Sequence, residues 1–182
     1  MENQILDQEE AYSEVIQYAS FWERVGASII DGLIMLPVIA LNFYNTINIK
    51  SLILAIVLSF VYLIYKIYME GTSGATFGKR AMKIKVVNEN NTPINLQTAA
   101  VRASLYIINA LVGLISTVAI FQAAGFDEVT AFADLGPFQQ ANGNNFGMVT
   151  AILVLISVIF VAFDSKKQAL HDKIAKTICI VR

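Results

Sequence analysis

The chain has only one cysteine and one histidine among its 182 residues. The single cysteine, Cys179, excludes an internal disulfide and a cluster of cysteine metal ligands. The single histidine, His171, has no second histidine with which to form a metal site, and no serine in a nucleophile-elbow context accompanies it. The sequence therefore predicts neither a cofactor nor an enzyme, and it identifies no set of metal ligands.

Charged residues are also scarce, at 15% of the chain against 56% hydrophobic residues. This composition is too apolar for an ordinary soluble domain of this length. The apolar residues form four runs, each close to the roughly 17 to 25 residues that a membrane-crossing helix needs. These runs cover residues 25–44, 51–69, 103–123 and 146–163. We therefore predict an all-α membrane protein with four transmembrane helices in contact with the lipid bilayer.

Lysine and arginine residues are unevenly distributed among the connecting segments. Residues 70–102 and 164–182 carry most of them, whereas residues 124–145 carry none. Because cytoplasmic loops are enriched in lysine and arginine, we expect both basic segments and both termini to be cytoplasmic. Residues 1–20 are interpreted as an acidic cytoplasmic segment without a secretory leader, and residues 21–182 as the membrane domain.

The two halves of the chain resemble each other. Residues 70–87 align without a gap on residues 164–181, with identical residues at five positions. Each half is predicted to be a hairpin of two spans followed by a short cytoplasmic β-strand, which gives two tandem hairpins. If a twofold axis relates the halves, the two strands can pair antiparallel. A sheet of two strands is marginal alone, so we expect the spans or a partner to cover one of its faces.

Three sequence blocks carry a resemblance to a known family: YASFWERVGASIIDGLIMLP, GATFGKRAMKIKVV and KKQALHDKIAKTICIV. They resemble the RDD family, bacterial and archaeal membrane proteins named for one arginine and two aspartates. By position, the resemblance assigns these three residues to Arg24, Asp31 and Asp172. It implies a multi-pass protein of the bacterial cytoplasmic (inner) membrane. Some members resemble cation/proton antiporters in reported activity, so the resemblance also implies exchange of cations and protons.

Asp31 is the acidic residue within the first predicted span, and Arg24 is the nearest other charge. An ionisable side chain at this depth costs at least about 2.5 kcal/mol, so it is expected to be paired, functional or both. Seven residues separate Arg24 from Asp31, which is about 10.5 Å along a helix, too far for direct contact. Their partners must therefore come from other elements.

The second half has Arg102 and Asn109 at the positions that match Arg24 and Asp31. We expect one of these two residues, Arg102 or Asn109, to pair with Asp31. The partner expected for Arg24 is an acidic residue of the last segment, Asp172 or Asp164.

Three further residues have two interpretations each. For His171 and Asp172, a surface or capping role is favoured over catalysis. Lys79 follows glycines in GATFGKR, but their spacing misses the full phosphate-loop pattern, so nucleotide binding is not favoured. Lys79 is interpreted instead as one of the basic residues that set the topology and touch anionic lipid.

Two classes of function remain open. In the first, the protein is a small transporter in which Asp31 carries a proton or cation, Arg24 and Arg102 bias its ionisation, and Asp172 closes the cytoplasmic side. In the second, it is a non-catalytic membrane scaffold or accessory subunit whose charges only hold helices together. Four helices leave little room for a pathway, so a homo-oligomer is expected in either class. No nucleic-acid partner is predicted.

Overall fold

Helices make up most of the computed structural model, which describes residues 16–142 and 146–182. The long helices are α1 Phe21–Tyr44, α2 Leu52–Ser73, α5 Ser104–Gln122 and α7 Phe146–Phe163, and the shorter ones are α3 Phe77–Ala81, α4 Leu96–Arg102, α6 Phe132–Asn142 and α8 Leu170–Ala175. A π-helical turn, Asn45–Ile49, extends α1, and a 3₁₀ turn, Phe126–Glu128, precedes α6. The strands are β1 Ile84–Asn88 and β2 Thr177–Val181.

Three helical segments of the described chain are long and apolar enough to cross a membrane: Phe21–Ile49, Leu52–Ser73 and Ser104–Gln122. Many of their apolar side chains face outward, including Leu33 at 60% and Ile53 at 78% exposure. So much exposed apolar surface is unfavourable in water and favourable in lipid. Three of the predicted spans are therefore confirmed as helices of membrane length. The fourth coincides with the 18-residue helix α7, and an arrangement with four crossings stays a prediction.

Local caps set the ends of the first hairpin. Helix α1 begins at Phe21, earlier than its predicted apolar run, because Ser20 and Glu23 form a capping box. Glu23 N donates to the Ser20 hydroxyl at 3.4 Å, and Ser20 N donates to Glu23 Oε2 at 2.6 Å. Helix α2 ends where Gly74 adopts a φ of 73°, a left-handed conformation that glycine reaches without steric cost. The chain then turns back into α3 beside the start of α1.

The two strands pair antiparallel, which confirms their predicted pairing. Ile84 lies opposite Val181, and Val87 lies opposite Ile178. In the alignment of the two halves, Ile84 corresponds to Ile178 and Val87 corresponds to Val181. The register is therefore the one that a twofold axis between the halves would produce. The tandem arrangement of two hairpins stays a prediction.

One face of this small sheet is covered from within the chain. Val86 and Cys179 lie opposite each other and are both 0% exposed. Ala19, from the segment that leads into α1, and Ala99 of α4 pack with them in one apolar cluster. Such cover makes a sheet of two strands stable, because a pair of strands alone buries too little apolar surface.

The sheet and the short helices α3, α4 and α8 lie at one end of the long helices, here called the sheet end. Helix α1 packs on α2 and α3, α2 packs on α4 and α5, and α5 packs on α7. Near the opposite end, Lys50 Nζ donates to the Asp127 carbonyl at 2.6 Å. There α6 forms within residues 124–145, a segment that lies between the third and fourth predicted spans. Asp134 Oδ2 accepts a bond from Ala131 N at 2.9 Å near the start of α6, as a capping carboxylate does.

Candidate functional site

Ionisable side chains from five helices meet in the interior at the sheet end. Each is at most 8% exposed. We call them the buried charge cluster, which consists of Arg24, Lys66, Glu70, Lys79, Arg102, His171 and Asp172. Burying this many ionisable groups is strongly unfavourable unless each has partners. The partners therefore define the site.

Glu70, near the end of α2, is the first acidic centre of the cluster. Its Oε1 accepts a bond from Lys66 Nζ at 2.9 Å and one from Lys79 Nζ at 2.6 Å. Its Oε2 accepts a bond from Arg102 Nη1. Burial, reinforced by the charge of Arg102, lowers the pKa of Lys79 to about 8 although Glu70 acts in the opposite direction. Lys79 lies outside the predicted spans. Because its pKa is about 8, it exchanges its proton near neutral pH.

Asp172 of α8 is the second acidic centre. Arg24 Nη1 donates to Oδ2 at 2.6 Å, and Arg102 Nε donates to Oδ1 at 2.7 Å. Burial alone would raise the pKa of Asp172, but the positive charges, that of Arg102 foremost, hold this pKa well below its usual range. The predicted contact between Arg24 and Asp172 is confirmed. Arg102 binds both Glu70 and Asp172, so it joins the two acidic centres.

The surface or capping role expected for His171 and Asp172 is confirmed only in part. Asp172 caps a helix, but neither residue is exposed. Asp172 accepts a bond from Ala169 N at 3.1 Å at the start of α8, but it is 0% exposed and His171 is 5% exposed. Lys79 was interpreted as one of the basic residues that set the topology and touch anionic lipid. The lipid contact is wrong because Lys79 is 8% exposed, and its role in setting the topology stays a prediction. These residues are buried because α8 packs on α4 and α7.

His171 contacts a serine that the sequence analysis did not identify. Its Nδ1 lies 3.0 Å from Ser157 Oγ on α7, and its Nε2 lies 3.7 Å from Asp172 Oδ1. Burial, which outweighs the neighbouring carboxylate, lowers the pKa of His171 to about 3, so the imidazole is neutral at physiological pH. Although serine, histidine and aspartate are adjacent, Ser157 is 0% exposed. Its hydroxyl is therefore a structural partner of the imidazole.

Asp31 lies in a separate polar contact between α1, α2 and α3. Its Oδ1 accepts bonds from the Tyr65 hydroxyl at 2.8 Å and from Gly78 N at 2.8 Å, and its Oδ2 accepts one from the Thr76 hydroxyl at 2.6 Å. The expected pairing with Arg102 or Asn109 is wrong, since these bonds come from other residues.

The glycine at position 78 is required by the same contact. A Cβ there would lie 2.0 Å from the Ala27 carbonyl oxygen and 2.8 Å from Asp31 Cγ. Only glycine lets α3 approach α1 closely enough for its backbone N–H to reach the carboxylate. Asn109, the predicted counterpart of Asp31, lies half-buried on α5.

Glu70 and Lys66 were not among the site residues predicted from the sequence, although two signals point to them. Glu70 corresponds to Asp164 and Lys79 corresponds to Lys173 in that alignment. Lys173 Nζ lies 2.5 Å from Asp164 Oδ1, so the Glu70–Lys79 ion pair has a counterpart in the second half. The four-residue spacing of Lys66 and Glu70 was a second signal, since it places both on one face of a helix.

A small cavity lies within the charge cluster and adjoins a groove. The cavity has a volume of about 40 Å³. It is lined by cluster residues, among them Lys66 and Lys79, and by Tyr106. The groove runs between α1 and α2, has a volume of about 350 Å³, and includes Asn42 among its lining residues. Ser28 lines both. Asp31 is not among the described residues that line either one.

A profile of the RDD family matches residues 18–176. No curated protein and no solved structure matches the chain. The matched region includes Arg24, Asp31 and Asp172, the residues that the resemblance assigned to the family's name, and the structure buries all three. The match covers far more than half of the chain, and the chain therefore belongs to the RDD family.

Proposed function

We propose that this membrane protein is a small proton-coupled ion transporter whose path runs along the groove between α1 and α2 into the cavity of the buried charge cluster. One observation carries the proposal: Ser28 lines both spaces, so the groove and the cavity adjoin. A site of this kind, with charges inside and an apolar surface around them, is typical of ion pathways in membrane proteins.

The extent of the groove supports this path. Ser28 and Asn42 are fourteen residues apart on α1, which corresponds to about 21 Å of a hydrocarbon core about 30 Å thick. Polar side chains of α2, Ser59 and Tyr62, line the groove from the other side. The buried Asn42 Oδ1 has no hydrogen-bond partner among the described residues. An acceptor without a partner is suited to bind water or a passing ion.

Two groups are candidates for the coupled proton. The resemblance to the RDD family implied cation/proton exchange, and the sequence analysis proposed Asp31 as the carrier. Asp31 accepts three hydrogen bonds between α1, α2 and α3. Lys79 lines the cavity itself, and its pKa of about 8 lets it release and take up a proton near physiological pH. The proposed topology is the same for either group. The chain crosses the membrane four times, and both termini lie in the cytoplasm of a bacterium.

A non-catalytic scaffold or accessory subunit is the second candidate. The observation that favours it is the saturation of Asp172, which binds two arginines and the start of α8 and so ties α1, α4 and α8 together. Charges with this many partners stabilise a unique packing without moving. We propose no enzymatic role in either case, and a homo-oligomer stays a prediction.

Flux through purified protein in proteoliposomes tests the first candidate. Imposed pH gradients would be combined with sodium, potassium, lithium or chloride, and an internal pH dye would report proton movement. The informative variant is Gly32→Leu, because Gly32 lines the groove and a Cβ there meets nothing within 4 Å. The added side chain would fill the groove without a clash. We expect at least a tenfold loss of flux.

Gly113→Leu is the matched control. Gly113 lies on α5, a Cβ there also meets nothing within 4 Å, and it is not among the described residues of the groove. This variant should keep the wild-type flux. Wild-type protein without flux for any ion tested would favour the scaffold, and equal flux in both variants would place the path elsewhere.

A further inference from the structure

We propose that the cavity within the buried charge cluster binds a small monovalent anion of the size of chloride. The proposal deepens the proposed function, on which it rests only for the claim that the bound ion moves across the membrane. It follows from the charges, the free donors and the size of the cavity.

The cluster contains more positive than negative charge. Four of its side chains are cations and two are carboxylates, and His171 is neutral. Each of these groups is at most 8% exposed. The described residues thus leave two buried positive charges without a carboxylate of their own. Because an uncompensated buried charge is strongly unfavourable, an anion from solution would stabilise this arrangement.

Hydrogen-bond donors remain available at the cavity wall. An ammonium group carries three N–H donors. Lys66 and Lys79 both donate to Glu70 Oε1, and among the described residues this is the one acceptor that either ammonium has. Lys66 Nζ also lies 4.7 Å from the centre of the Tyr106 ring. Both ammonium groups line the cavity, so their remaining donors are positioned to bind an anion there.

The size of the cavity limits which anion it can hold. A volume of about 40 Å³ takes no more than a few water molecules. A halide ion with a companion water fits such a space, whereas an organic acid does not. Phosphate headgroups of lipids are excluded for the same reason.

Anion binding is expected to depend on the protonation of Lys79. The charged or titratable groups around this lysine are Arg24, Lys66, Glu70, Arg102, Tyr106, His171, Asp172 and Cys179. Burial and the charge of Arg102 lower the pKa of Lys79 to about 8. A bound anion would stabilise the ammonium form and raise this pKa. Affinity should therefore fall as the pH rises above about 8, and binding there should take up protons.

A chloride titration of the purified full-length protein tests the proposal. Calorimetry in detergent measures the binding, and gluconate keeps the ionic strength constant. Wild-type protein should bind chloride saturably. Lys79→Met removes one donor and one charge from the cavity, and binding should weaken at least tenfold. Arg80→Met is the matched control, because Arg80 is the exposed neighbour in α3 and does not line the cavity. It should bind like the wild type.

Absence of saturable binding in the wild type, or equal affinity in the two variants, would overturn the anion site. A second measurement covers the case in which Lys79→Met does not fold. Crystals of the wild type grown with bromide should show an anomalous peak inside the cavity. If the cavity of these crystals holds water and no bromide, the proposal is overturned. Chloride binding without flux in proteoliposomes would support the anion site and contradict transport. Flux without chloride binding would support transport and contradict the anion site.

Discussion

At the scale of single residues, the site depends on carboxylates that accept several hydrogen bonds each, most of them from other elements. Glu70 accepts bonds from three cations, and Asp31 accepts bonds from two hydroxyls and a backbone N–H. In a membrane interior, each of these donors would be left without a partner if the carboxylate were removed. Substitutions of these residues therefore separate charge from hydrogen bonding.

Asp31→Asn should keep the fold and abolish proton-coupled flux. Asparagine retains one acceptor oxygen, and the Thr76 hydroxyl can reverse to accept from its amide, so we expect a loss of only about 1 kcal/mol in the free energy of unfolding. Asp31→Ala leaves two buried donors, on Thr76 and Gly78, and the half-buried Tyr65 hydroxyl unpaired, and we expect a loss of about 3 kcal/mol. Unfolding by denaturant in detergent measures both. Full flux in Asp31→Asn would exclude Asp31 as the proton carrier, and equal stability losses would contradict the bonding described here.

His171 should make the protein sensitive to mild acid. Its pKa is about 3 in the folded protein against an ordinary value of 6.5, so the unfolded chain binds the proton first and stability falls as the pH drops below 6.5. Between pH 6.5 and about pH 4.5 this amounts to about 2 kcal/mol. Denaturant titrations across this range should show the loss in the wild type. His171→Gln should remove the slope, since Asp172 titrates only at lower pH, and an unchanged slope would assign the acid sensitivity to another group.

At the scale of elements, the strand pair connects the end of the chain to its middle. Strand β1 follows α3 and β2 follows α8, so their pairing holds both helices at the sheet end. The charge cluster uses residues from both of these helices. The sheet therefore positions Lys79 and Asp172 around the cavity, although it contains no residue of the cluster.

Val86→Cys should form a disulfide with the native Cys179. The two residues are direct partners in the antiparallel pair, and facing Cα atoms in such a pair lie within disulfide range. Oxidation in detergent should lower the intact mass by two hydrogen atoms. Lys85→Cys is the control, because adjacent residues of a strand face opposite sides, and it should stay reduced. A disulfide in the control alone would mean that the register is shifted by one residue.

At the scale of the whole molecule, charge is sorted along the helix axes. The cluster, the sheet and the basic segments are all at the sheet end, whereas the opposite end has α6 and the apolar cluster of Phe126, Val129 and Leu135. The long helices between them expose apolar side chains along their length. Such a molecule has one orientation in a membrane that satisfies the preference of lysine and arginine for the cytoplasm.

Cysteine labelling in intact cells tests this orientation. In a Cys179→Ala background, a cysteine at the exposed Asn142 should react with an impermeant reagent, and one at the exposed Asn90 should react only after the cells are opened. The opposite pattern, with Asn90 labelled and Asn142 protected, would reverse the topology. Labelling of both in intact cells would contradict an arrangement in which the two ends lie on different sides.

The sequence by itself was sufficient for the long helices and for the pairing of the two strands. Helix length and apolar character are local properties, and the matched strand patterns in two similar segments predicted their antiparallel contact. Three sequence blocks led to the correct family, and the position of Asp31 within an apolar run indicated a buried charge. The sequence narrowed the partner of Arg24 to Asp172 or Asp164, and the structure shows that it is Asp172.

Only the tertiary structure decided which side chains meet. Thr76 and Gly78 reach Asp31 across 45 and 47 residues, and Arg102 reaches Asp172 across 70. Partners so distant in sequence are selected by how helices pack, and a close approach such as that of α3 to α1 depends on the absence of a single Cβ at Gly78. For the same reason the excess of positive charge around the cavity could not be read from composition: the net charge of the chain is −1, and folding concentrates the cations inside.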